Sequence, residues 1–214
     1  NMDARAIAPD NALGGNFEDL AELVYTRLKD GRQLRWPELK EYFPMPMDQV
    51  AQLGTYYNSE GYNIQLDAVP GNIKTAEAKA LLQLADRERI DFFLNLHSAP
   101  GSRASHVVPP SALNYPGNIQ TVLAIRAAWL SKMGEPSGQI DASSSLGRQS
   151  DINNAVTLAT GAAPLTFEFA SMKAKNLDEL LETGYSILEA VLEQGLKKPL
   201  ANRKEVLMGS PEMF

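Results

Sequence analysis

The chain has 214 residues, 44% of them hydrophobic and 21% charged, with a formal net charge of -6 at pH 7. That length buries one sizeable core and predicts a single domain over residues 1–214 with 199–214 as a tail, the composition is that of a soluble globular protein, and no apolar run approaches the ~20 residues that span a bilayer. An acidic balance without a basic cluster argues against nucleic acid as a partner, and the absence of cysteine removes disulfides, thiolate metal ligands and thiol nucleophiles.

The opening residues, NMDARAIAPDN, lack the apolar core of a signal peptide, so a soluble chain is expected and its compartment is left open. Residues 1–15, with Pro9, Gly14 and Gly15, read as a loop or strand remnant. A helix is predicted from Asn16, because Leu20, Leu23, Val24 and Leu28 recur at helical spacing, with Asn16 as cap and Asp19 in the first turn. Residues 31–62 read as irregular, interrupted by Pro37, Pro44 and Pro46, and the YFPMPM stretch fits a short strand entering a turn. The glycine-bounded segment GYNIQLDAVPG, residues 61–71, reads as a shaped loop.

Thr75 opens a helix whose Ala78, Leu81, Leu82 and Ala85 line one face and which Arg87 to Arg89 closes. The run Asp91 to Ser98, DFFLNLHS, follows. Phe92, Phe93, Leu94 and Leu96 give it the nearly continuous apolar character of a central parallel strand covered on both faces. A Gly, Ser and Pro-rich loop carrying His106 leads to a helix with Ile119, Val122, Leu123, Arg126, Trp129, Leu130 and Met133, in which Trp129 reads as core. The polar stretch Gly134 to Gln149 contains Ser143, Ser144, Ser145 and Arg148. Ser150 caps a helix through Ile152, Ala155, Val156 and Ala159 that Gly161 ends. A strand over Pro164 to Ala170 comes next. The last helix starts at Asn176 with Glu179 completing a capping box, buries Leu180, Leu181, Ile187, Leu188, Val191 and Leu192, and stops at Lys197, Lys198 and Pro199. Helix followed by buried strand is the rhythm of a mixed, largely parallel sheet with helices on both faces.

The candidate chemistry gathers at strand ends. Open α/β sheets bind ligands outside the carboxyl ends of their strands, and there the apolar run of residues 92–96 gives way to Asn95, His97 and Ser98. In PLTFEFA, residues 164–170, the period of two sets Glu168 opposite Phe167 and Phe169. A carboxylate so flanked is paired, faces a metal or lies at a solvent edge. The chain has no GxSxG, GxxxxGK[ST], GxGxxG or HExxH motif, which excludes a nucleophile elbow, a phosphate loop, a dinucleotide fold and a helical zinc site of those types.

Four segments in order then resemble the M14 zinc carboxypeptidases: Gly61-Tyr-Asn-Ile-Gln-Leu-Asp67, Thr75-Ala-Glu77-Ala, Leu96-His97-Ser98 and Thr166-Phe167-Glu168. The likeness covers roughly residues 60–195. It implies a carboxypeptidase-like fold, one zinc ion with His97 as a metal ligand, Glu168 as the catalytic general base, and a peptide or amide substrate. A metal that lowers the pKa of its water toward ~7 beside a carboxylate that accepts the proton is coherent hydrolytic chemistry.

Two departures shape the expectations. The family's HxxE ligand pair is absent, and its position falls on Gly14-Gly15-Asn16-Phe17-Glu18-Asp19, where Asn16 and Asp19 serve equally as helix caps. Whether an HxxE motif lies upstream of residue 1 is left open, and zinc is expected to be weakly bound or absent in this chain. The family's Asn-Arg pair, which holds a substrate carboxylate, falls on Gln65-Leu66; Gln65 and Arg148, with Arg103 as a further candidate, are the substrate-binding residues the likeness leaves. The alternative function is a carboxypeptidase-like binding or structural module without metal. His97 and Glu168 are expected within about 10 Å of each other.

Overall fold

The computed structural model describes residues 24–35, 38–69, 71–98, 104–108, 116–134, 151–170 and 177–197. Its first unit is a small antiparallel sheet of β1 (Thr26–Leu28), β2 (Gln33–Leu34) and β3 (Val50–Gln52), in the order β2-β1-β3. The helix expected to run through Leu28 is thus corrected, since Leu28 lies on β1. The apolar residues at helical spacing compete with the β-forming Tyr25 and Thr26, and Tyr25 and Leu28 are instead buried with Leu34, Leu39, Met45 and Tyr57. Gly54 crosses this sheet so closely that a Cβ there would lie 2.4 Å from the Val24 carbonyl oxygen, and its N–H donates to Thr26 Oγ1 at 3.1 Å. The YFPMPM stretch forms no strand; it runs into a one-turn 3-10 helix, Met47–Gln49.

The second unit is a mixed α/β layer. Helix α1 (Ala76–Glu88) precedes β4 (Phe92–Ser98), β5 (His106–Val108) precedes α2 (Pro116–Lys132), α3 (Ile152–Thr160) precedes β6 (Ala163–Phe169), and α4 (Leu177–Lys197) closes the described chain. The sheet order is β4-β6-β5, with β4 parallel and β5 antiparallel to β6. β6 is therefore the middle strand, and β4, expected to be central, is an edge of the described sheet with Leu96 51% exposed.

Alternation along β6 sorts the layers. Leu165 and Phe167 face a core built with Val107, Val122, Ile125, Trp129, Ile187 and Ala190, which is the α2/α4 side. On the opposite face Phe93 packs against the cluster of Leu82, Ala85, Ala155 and Val156, which brings α3 and α1 over the sheet. Trp129 is core, as expected; its indole N–H donates to Ser186 Oγ at 3.0 Å and its ring meets Phe167 edge-on at 5.0 Å.

The helix ends follow their local chemistry. Thr75 caps α1 by accepting from Ala78 N at 3.2 Å, and Arg89 ends it in the left-handed region at φ 51°. The cap of α3 is Asp151, whose Oδ1 accepts from Asn153 N at 2.7 Å, one residue beyond the expected Ser150. Gly161, at φ 76°, ends α3 as expected. Helix α4 buries Thr183, Ser186, Ile187 and Ala190, whereas Leu181, Leu188 and Leu192, expected in the core, are 46%, 42% and 66% exposed. Small residues line the side of α4 that faces the sheet, where a Cβ at Gly184 would lie 3.7 Å from the Phe169 ring and one at Gly195 3.6 Å from that of Phe92, and the leucine stripe turns outward.

Candidate functional site

The register of the mixed sheet brings the candidate residues together. Parallel pairing sets Asn95 beside Thr166 and His97 beside Glu168; antiparallel pairing sets His106 beside the same Glu168. Register partners on adjacent strands project to one face, and neighbouring strands lie ~4.8 Å apart. His97, Glu168 and His106 thus form a transverse row across three strands at the carboxyl end of the β4/β6 pair. The chain has two histidines, and both are in this row.

A second polar row supports it from below. Asn153, on α3, accepts from Asn95 Nδ2 at 3.0 Å and donates through its own Nδ2 to Thr166 Oγ1 at 2.9 Å, so one amide fastens both strands to the helix. Beyond the site, Ser105 Oγ accepts from Ala170 N at 2.9 Å and holds the approach to β5 against the end of β6. These bonds fix the backbone on either side of Glu168.

Glu168 itself is half-buried, and its Oε2 is buried with no hydrogen-bond partner. An unpaired buried carboxylate oxygen is costly, and a water, an ion or a ligand would satisfy it. The residue stands on the middle strand, which removes the reading of it as an exposed edge-strand glutamate. Tyr56, from the loop after β3, lies in its field: burial raises the Tyr56 pKa first, and the nearby Tyr25 and Glu168 raise it further. The Tyr25 and Tyr56 rings stack with centroids 6.3 Å apart.

The remaining sequence candidates have other surroundings. Gln65 is half-buried on a one-turn 3-10 helix, Ile64–Leu66, that packs against α1 and α3. The polar residues of that segment are engaged locally. Asn63 Oδ1 accepts from Gln65 N at 3.0 Å, and the Asp67 carboxylate accepts from Lys74 N and Thr75 N and from the Thr75 hydroxyl, the last two at 2.7 Å. Glu77, the acidic residue of the second matched segment, lies 3.4 Å from Asn58 Nδ2. Asn16, Glu18, Asp19, Arg103, Arg148, Ser150, Asn176 and residues 199–214 lie outside the described residues.

Comparison with protein-family models, curated proteins and solved structures finds no match to this chain.

The donor chemistry of the row fits zinc: imidazole nitrogen and carboxylate oxygen are the ligands that ion takes, and the orphaned Glu168 Oε2 is an atom that a cation or its water would satisfy. As the side chains stand, no three His, Asp or Glu groups among the described residues converge to hold a metal. Sequence reasoning missed His106 and Tyr56. The β-branched Val107 and Val108 were the signal for a strand at His106, masked by the Gly, Ser and Pro residues around it. Tyr56 comes close enough for the Glu168 charge to raise its pKa only through tertiary packing, for which the sequence holds no local sign.

Proposed function

We propose that this chain carries the site of a carboxypeptidase-like, zinc-assisted hydrolase that cleaves peptide or amide bonds. The observation that supports it most is the in-register pair His97–Glu168 at the carboxyl end of two parallel strands, with Glu168 Oε2 buried and without a partner. Two segments singled out for their likeness to the M14 family, LHS and TFE, turn out to be neighbours in space.

In this reading His97 is a metal ligand through one ring nitrogen. The zinc ion supplies Lewis-acid polarisation and a water of lowered pKa when bound. Glu168 is the general base: its Oε2 takes a proton from the attacking water and returns it to the leaving amine nitrogen. Oε2 holds no standing hydrogen bond to a protein group that the water would have to displace. Asn153 positions the row by fixing Asn95 and Thr166, each two residues before a site residue on its strand. Gln65 and Arg148 are the substrate-binding residues this reading carries over, and Leu66 stands where the family has its carboxylate-binding arginine, so a strict requirement for a free terminal carboxylate is not expected.

The second reading, a carboxypeptidase-like module that binds without metal or hydrolysis, is favoured by the segment 61–67, whose Asn63 and Asp67 are engaged as turn and helix caps. One assay separates the two. With zinc supplied, hydrolysis of peptide and amide substrates is expected, and Glu168→Gln lowers kcat by at least roughly a hundredfold. Equal turnover by Glu168→Gln removes Glu168 from the role of base, and no turnover by the unaltered chain favours the binding module.

A further inference from the structure

Helix α4 has two apolar sides, and the fold uses one of them. Ile187 and Ala190 are buried in the core against the sheet, while Leu177, Leu181, Tyr185, Leu188, Leu192 and Leu196 are each at least 42% exposed. At 1.5 Å per residue the exposed stripe runs for about 29 Å along the helix. Single exposed leucines are ordinary on a protein surface, but a contiguous apolar band of this length marks a surface that another surface covers.

The pattern of the stripe says what that second surface is. From Leu177 to Leu196 the intervals are four, four, three, four and four residues, the same read from either end. The centre falls between Ser186 and Ile187. A second copy of α4 laid antiparallel about a two-fold axis through that point sets Leu177 level with Leu196, Leu181 with Leu192 and Tyr185 with Leu188, and then the same three pairs again in reverse. Intervals of three and four are those of a heptad seam, and a two-fold interface requires one patch to complement itself. A partner of different sequence requires no such symmetry.

Charge agrees with the same orientation. Lys132, at the end of α2, reaches Glu189 at 3.3 Å and Glu193 at 2.7 Å, so its ammonium lies at the level of residue 191 on one flank of the stripe. Glu182, exposed and two turns before Glu189, is on that flank too. Antiparallel pairing about the axis sets each flank against the same flank of the copy and residue 182 level with residue 191, so Glu182 of each copy meets Lys132 of the other. Parallel pairing sets this flank against the opposite one, where Gly184 and Val191 offer Glu182 no cation. Exposed pairs of this kind add little affinity and serve to fix register.

We propose that the outer face of α4 is a homodimer interface, in which two copies of this chain pack α4 against α4 antiparallel about a two-fold axis between Ser186 and Ile187. Since α4 covers the sheet face opposite Glu168, the dimer leaves the polar row of each copy uncovered. The proposal stands apart from the hydrolase reading, because association is measured without substrate or metal.

Sedimentation of the full chain over a range of concentrations tests it. The unaltered chain is expected to dimerise, and Leu188→Glu and Leu192→Glu each to raise the dimer dissociation constant at least about tenfold with an unchanged far-UV spectrum, since the two-fold axis places each new carboxylate in the seam twice. Orientation is read by oxidation, because the chain has no cysteine of its own. A variant carrying both Leu181→Cys and Leu192→Cys is expected to form a covalent dimer, and either change alone is not: two copies of position 181 lie about 16 Å apart along the antiparallel pair, beyond the reach of a disulfide. A chain that stays monomeric at every concentration overturns the proposal, as does a dimer indifferent to both glutamate variants or a covalent dimer formed by either single cysteine variant. A monomer that Leu192→Glu destabilises overturns it as well, by showing that the chain covers the stripe itself.

Discussion

On one face of the β4-β6-β5 sheet, Leu165, Phe167 and Val107 meet Ile125, Trp129 and Ile187, none of them more than 4% exposed. On the other face, one residue along the same strands, Asn95, Thr166, His97, Glu168 and His106 are half-buried and polar. Backbone, register and strand length are shared, so the difference lies in side chains alone. The first face is saturated by apolar contact. The second is saturated only as far as Asn153 reaches, and ends in a carboxylate oxygen with no partner. Stability and candidate chemistry are thus carried by alternate residues of one strand, and a substitution on each face should report a different property.

The largest effect is expected on the apolar face. Phe167 is fully buried, edge-on to both Trp129 at 5.0 Å and Phe169 at 4.9 Å, so Phe167→Ala should destabilise the fold by about 3–5 kcal/mol, measured by urea denaturation. A loss below about 1 kcal/mol would mean that this face is not the core. A smaller effect is expected beneath the row. Asn153→Ala removes two side-chain hydrogen bonds from part-buried partners and should cost about 1–3 kcal/mol while also lowering kcat, because Asn95 and Thr166 precede the site residues on their strands. A kcat equal to that of the unaltered protein would confine Asn153 to a structural role.

The two faces were also unequally legible in the sequence. The period of two in PLTFEFA assigns Phe167 and Glu168 to opposite faces from local residues alone, and Thr75 and Gly161 mark helix ends through chemistry within a few residues of themselves. His97 and Glu168 stood out because polar residues interrupt apolar runs. What needed tertiary information was missed. β1 to β3 are two or three residues long and exist because Tyr25, Leu28 and Leu34 share a core with Leu39, Met45 and Tyr57. The leucines of α4 recur at helical spacing on more than one side, and the sheet selects the side with Gly184, Ser186, Ala190 and Gly195, where the helix can come close. That β4 is an edge and β6 the middle strand depends on His106 to Val108, three residues set among Gly, Ser and Pro. The third member of the row was therefore hidden with the strand that carries it.

The central claim is that Glu168 is held in place for chemistry and not for the fold. The most direct test is the stability of Glu168→Gln, compared with the unaltered protein by urea denaturation at pH 7. A buried carboxylate with an unpaired oxygen costs desolvation energy that a neutral amide of the same shape largely avoids, so the variant should be as stable as the unaltered protein or more so. A loss of more than about 1 kcal/mol would contradict the account, because it would show the carboxylate stabilising the sheet through its neighbours in the row.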